Sequence, residues 1–250
     1  MRAEPPRAVG FDFGNTLVDI GYPGAALQAA GLELVDRLEL ASLPLAAQEL
    51  GPAVDARVDR LIAAAHRRRP LREVEIEPIY RRAMSQVLGR SLPAEVGRVA
   101  CAVLQPPWAE VVTVRSGALE ALSRLREAGL RLGLLSNAPY PPAVLHRILG
   151  RVGLAPLLDA AIFSSEVGVR KPSPTAFQLL LGRMGVGAGE TWFVGDEWRP
   201  DVLGARRAGL WPLLAPGAEP ARDSETVRLD SFSELVELVQ GAGRSAGDGR

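Results

Sequence analysis

From residue 130 to the carboxyl end, short apolar runs alternate with segments of helical period, and this rhythm leaves few folds open. The runs are LRLGLLS (130–136), AAIFS (160–164), TWFVGD (191–196), WPLLA (211–215) and, more weakly, TVRLD (226–230). Around them, GALEALSRLREAG (117–129), PPAVLHRILGRVG (141–153), SPTAFQLLLGRMG (173–185), PDVLGARRAG (200–209) and SFSELVELVQG (231–241) carry apolar residues at helical spacing. A strand that is apolar at nearly every position is buried on both faces, so interleaved helices must cover the sheet on both sides. AVGFDF (8–13) adds one more such strand, ending at an acidic residue. The predicted fold class is α/β, a doubly wound parallel-sheet core of Rossmann-like type.

Residues 20–113 break the rhythm. They hold no convincing strand but several amphipathic stretches, among them AVDARVDRLIAAAH and EPIYRRAMSQVLG. They read as a helical domain inserted after the first strand, with 1–19 and 114–240 forming the core. LQPPWAEVVTVRSG is expected to be the return linker, its paired prolines excluding helix. The glycine-rich tail at 241–250, GAGRSAGDGR, is expected to be disordered. GRMGVGAGE (182–190) precedes a strand instead of following one, which argues for a helix C-cap and turn over a dinucleotide loop.

Charge narrows the function classes. Lys plus Arg and Asp plus Glu both number 29, so no global field favours nucleic acid or an anionic membrane. A local cluster, His66 to Arg69 with Arg72, reads as a solvated helix end, with an anionic partner as the alternative. Cys101, the single cysteine, lies among apolar neighbours and points to a core position in a reducing compartment. No start resembling a signal peptide and no long apolar run appears, so a soluble cytoplasmic protein is expected. His146, in a helical stretch, reads as a surface or capping residue.

In an open parallel sheet the ligand site lies beyond the carboxyl ends of the strands. The residues there are Asp12 with Gly14, Asn15 and Thr16; Ser136 with Asn137; Ser164 with Ser165; and Asp196 with Asp201. Taken singly, each is what any strand-terminal loop contains, a turn or cap residue. Lys171 is different in kind: it is the only lysine, in a chain that uses arginine at its 28 other basic positions. Guanidinium is a broad planar fork and ammonium a compact point charge, so position 171 is a candidate for a crowded site.

The order Asp-x-Gly-Asn-Thr, a strand ending Ser-Asn, a lysine before proline, then Gly-Asp with a second Asp five residues on, resembles the haloacid dehalogenase-like hydrolase superfamily. GALEALSRLREAGLRLGLLSNA and GDEWRPDVLGARRAGL carry the same likeness, and the helical insertion is similar to the cap domain of many members. The resemblance implies a phosphatase with catalytic Asp12, Lys171 and Ser136. Asp12 is the implied nucleophile, forming an aspartyl phosphate. Thr16, Ser136, Asn137 and Lys171 are the implied substrate-binding residues. Mg2+ is the implied cofactor, held by Asp12, the Gly14 carbonyl and Asp196, with Asp201 supporting the shell or joining it through water. The expected partner is a small phosphorylated molecule, with no nucleic acid and no membrane, acting on a monomer or homodimer.

One position departs from the family pattern. Gly14 stands where phosphatases of the family carry a second Asp, the general acid and base worth roughly 100- to 10,000-fold. Three other readings follow: a weakly active or inactive phosphate-binding, regulatory protein; a metal-independent 2-haloacid dehalogenase, whose branch also lacks that Asp; and a phosphatase whose acid comes from Asp19, Glu75, Glu77 or His66. The phosphonate-cleaving branch needs a cap lysine, which this chain lacks.

Overall fold

The computed structural model describes residues 5–247. In chain order the elements are β1 (Ala8–Phe11), β2 (Val18–Ile20), α1 (Gly24–Arg37), α2 (Ala47–Arg68), α3 (Ile76–Leu88), α4 (Glu95–Leu104), α5 (Pro106–Glu110), β3 (Val112–Val114), α6 (Ala118–Glu127), β4 (Arg131–Ser136) and α7 (Pro142–Arg151). They continue with β5 (Ala160–Phe163), α8 (Ser164–Val167), α9 (Pro174–Met184), β6 (Thr191–Gly195), α10 (Leu203–Arg207), β7 (Trp211–Leu214), β8 (Val227–Arg228) and α11 (Phe232–Gly247). The chain divides into two compact units. One holds the segment ending at Asp19, Thr113–Ala138 and everything from Leu149; the other holds Ile20–Val112 with Pro139–Ile148.

In the first unit six parallel strands run β5-β4-β1-β6-β7-β8. Each apolar run of the sequence became one of them. The central strands are buried on both faces because helices cover both, as the unbroken apolar runs require. α9 lies close against the sheet where two strand positions lack a side chain. A Cβ on Gly10 would come 3.1 Å from Leu180 of α9, and one on Gly133 2.5 Å from the Met184 sulfur. Phe177 of α9 meets Phe193 of β6 edge to face, with ring centroids 5.0 Å apart. Truncating either fully buried ring would cost about 3–5 kcal/mol.

The second unit is helical. Leu27, Leu34, Leu50, Val54, Tyr80, Met84 and Leu104 are buried among its helices. Two of its polar groups are satisfied internally: Gln105 Nε2 donates to the Tyr80 hydroxyl, and Trp108 Nε1 donates to Asp55 Oδ1 at 2.9 Å. Cys101 belongs to this core, and burial pushes its thiol up to about 12, which makes it unreactive. Arg67, Arg68, Arg69 and Arg72 are exposed around the end of α2, and His66 pairs with Glu73 at 2.7 Å. His146 is exposed on α7.

Four expectations need correction. The paired prolines do not exclude helix: Pro106 and Pro107 open α5, where the first turn has no use for the missing N–H and the fixed φ is already helical. The short strands β2 and β3 pair with each other where the chain leaves and re-enters the first unit, although residues 20–113 showed no strand. The glycine-rich tail is not disordered from 241: α11 runs on to Gly247, and residues 248–250 lie outside the described residues. Residues 139–148 also group with the helical unit, whereas the sequence reading put them in the core. No described helix is long and apolar enough to cross a membrane.

Candidate active site

β1 lies between β4 and β6, so the order of the sheet reverses there and the carboxyl ends of these three strands converge. Asp12 follows β1, its backbone N–H still paired with the Val194 carbonyl at 2.9 Å. Ser136 ends β4, and Asp196 follows β6. Carboxylate oxygens of Asp12, Asp196 and Asp201 all come within 4.8 Å of one another.

The loop after β1 turns tightly. Leu17 and Val18 donate to the Phe13 carbonyl, Asn15 donates to Val18, and Asn15 takes the left-handed conformation, φ 55, that asparagine tolerates better than most residues. The turn brings the buried Thr16 hydroxyl to 3.4 Å from Asp12 Oδ2 and 3.3 Å from Asp196 Oδ1. Thr16, expected at the substrate, is placed against the two carboxylates.

Lys171 is 3% exposed. Its ammonium donates to Asp12 Oδ1 at 2.5 Å and to Asp201 Oδ1 at 2.7 Å, with the Phe193 ring centroid 5.4 Å away. Burial alone would lower its pKa, but the two carboxylates outweigh burial and hold it above the usual lysine range. Both oxygens of Asp201 take part in this arrangement. The second accepts the Glu197 N–H at 3.0 Å, beside a π-helical turn, Trp198–Val202, of which helical period predicts only 200–202, and those as ordinary helix. Gly195 leaves the room for it, since a Cβ there would collide with the Asp201 carboxyl group. Asp196 is pushed up to about 7, by burial first and then by the charges of Asp12 and Asp201.

The Asn137 side chain, implied at the substrate by the family resemblance, is hydrogen-bonded to the Lys171 backbone. Its Oδ1 accepts the Lys171 N–H at 2.8 Å and its Nδ2 donates to the Lys171 carbonyl at 3.0 Å. Ser164 Oγ accepts the N–H of Ala138 at 2.8 Å, and Ser165 N–H donates to the Ala138 carbonyl, so these two serines hold the loop after β4. Asp19, on β2, pairs with Arg115 at 3.3 Å. Glu75, Glu77 and His66 belong to the helical unit.

Arg115 was not legible in the sequence, being one arginine among many. Its guanidinium donates to the Asn15 carbonyl at 2.6 Å and to the Pro216 carbonyl at 2.8 Å, tying the loop after β1 to the loop after β7. Next to it opens a cavity of about 700 Å³, lined in part by Asn15, Asp19, Asp196, Arg199 and Arg222.

A parallel α/β core with a buried lysine between carboxylates at its switch point, and a helical insertion after the first strand, is the arrangement of a hydrolase family. Residues 6–209 match the haloacid dehalogenase-like hydrolase family, and the chain belongs to it. Ribulose-1,5-bisphosphate 5-phosphatase of Halopiger xanaduensis is 28% identical over 253 residues, 93% of this chain and 98% of that protein. Phosphoglycolate phosphatase of Yersinia pseudotuberculosis is 39% identical over 88 residues, only 35% of this chain and 37% of that one. The fold is also that of 2-haloacid dehalogenase from Pseudomonas syringae, with a TM-score of 0.68 at 20% identity over 94% of this chain and 99% of that one.

Proposed function

We propose that this chain is a magnesium-dependent phosphatase acting on a small phosphorylated metabolite through an aspartyl phosphate on Asp12. The single observation behind this reading is the charge balance of the site. Three clustered carboxylates face one ammonium, and a hard divalent cation with oxygen ligands is what offsets the remainder. Asp12 and Asp196 would hold the ion together with the Gly14 carbonyl, while Asp201, whose oxygens are both engaged, keeps Lys171 and the Glu197 backbone in place. When bound, the ion neutralises negative charge on the phosphoryl group and on the nucleophile.

The chain's own groups supply the rest. Asp12 attacks phosphorus with one oxygen as the P–O bond to the leaving group breaks, while Lys171 offsets repulsion between the two anions. Water then cleaves the aspartyl phosphate to release inorganic phosphate. Ser136, at the end of β4, would hold a phosphoryl oxygen. Position 14 holds no side chain that could protonate the leaving group. The reaction therefore favours esters or acyl phosphates whose leaving group departs without a proton. The substrates named for the two relatives, a sugar bisphosphate and phosphoglycolate, are small phosphorylated metabolites and support that substrate class.

Calorimetric titration with Mg2+, followed by assays of phosphate esters and acyl phosphates with and without the ion, tests the reading. Metal-dependent turnover, strongest for good leaving groups, is expected. Metal-dependent phosphate binding without any turnover would favour a regulatory protein, a reading that Gly14 keeps open. Halide release from 2-haloacids without metal would overturn both.

A further inference from the structure

We infer that Asn137 is a positioning residue for Lys171 and makes its contribution through that lysine alone, not through the substrate. The inference rests on the phosphatase reading above for the importance of Lys171, but its geometry stands by itself.

Asn137 brackets one residue across 34 positions of sequence: its carbonyl oxygen takes the Lys171 N–H and its amide nitrogen reaches the Lys171 carbonyl. Holding both backbone groups of a single residue fixes the direction of its Cα–Cβ bond. For lysine this matters, because four further rotatable bonds separate the backbone from the ammonium, and each must be ordered to reach two carboxylates. The backbone cannot supply the same grip along the chain, since the next residue is Pro172, which has no N–H. An asparagine side chain, with an acceptor and a donor on one planar group, imitates a strand partner where no strand exists. Its own base is firm: Asn137 directly follows β4, and Ala138 after it is pinned by Ser164 and Ser165. That second anchor lets the loop survive loss of the Asn137 amide.

The lone lysine makes the test clean, because any side-chain amine signal of the full-length protein reports on position 171. Reductive methylation with formaldehyde and cyanoborohydride, followed by peptide mapping to separate Lys171 from the amino terminus, measures how often the buried ammonium becomes accessible. In Asn137→Ala the rate at Lys171 should rise about tenfold or more, as expected for losing two hydrogen bonds. Asn137→Asp keeps the acceptor and loses the donor, and should fall between. An unchanged rate in both variants overturns the inference, and a thermal melt on each confirms that folded protein is compared. Turnover supplies the second arm. If Asn137 acts only through Lys171, adding Asn137→Ala to Lys171→Ala costs nothing further. If the two losses multiply, Asn137 touches the substrate and the inference fails. Full turnover in Lys171→Ala alone would instead sink the phosphatase reading, while the methylation rates would still decide the clamp.

Discussion

The Lys171 ammonium lies 2.5 Å from Asp12 Oδ1, in a side chain that is 2% exposed. A second carboxylate, Asp201, stands 2.7 Å from the same nitrogen. A compact ammonium fits between two carboxylates this close, whereas a guanidinium is a broader planar fork.

Lys171→Arg should therefore impair turnover nearly as much as Lys171→Ala, each by about 100-fold or more, the scale seen when one electrostatic contact to a transition state is removed. Steady-state kinetics on both variants check this. Full activity in Lys171→Arg would refute the assigned role.

Gly14→Asp restores the carboxylate that family phosphatases carry at this place. Turnover of esters with poor leaving groups should rise, by up to about 100-fold, and that of activated esters should change far less. A plot of rate against leaving-group pKa for the two proteins reads this directly. An unchanged slope would mean that the acid already comes from elsewhere.

Gly195→Ala tests the packing beneath the carboxylate cluster. Its methyl would occupy space now filled by the Asp201 carboxyl group, so stability should fall by about 1–3 kcal/mol and turnover should fall with it. Denaturant unfolding and kinetics report the two effects. A silent substitution would show that Asp201 can shift freely.

Asp55 makes a pH-dependent prediction in the helical unit. Burial pushes its carboxyl up to about 6, against the opposing Trp108 hydrogen bond and with added repulsion from Asp59. The folded state thus holds this proton more tightly than the unfolded chain, whose value is near 3.8. The stability contributed is complete below about pH 4 and is lost as pH rises through about 6. Asp55→Asn keeps an acceptor for Trp108 and should be about 1–2 kcal/mol more stable than wild type at pH 7, with the gap closing toward pH 4. Melting curves across that range decide it.

The sequence by itself determined the parallel core and the order of its chemical groups. Strands buried on both faces must be apolar throughout, and polar residues can gather only where those strands end, so the alternation and the ends were both readable. The lone lysine was readable as a candidate for a crowded site, and the structure buries it between two carboxylates. What only the tertiary structure decided are relations between segments far apart in the chain. Asn137 turns its amide to the Lys171 backbone and Arg115 ties Asn15 to Pro216, and nothing local to either residue announces its partner. Even the helix that opens on Pro106 and Pro107 followed this rule. Prolines bar a helix interior but suit a first turn, and whether the chain needs a turn there depends on where the fold requires it to re-enter the core.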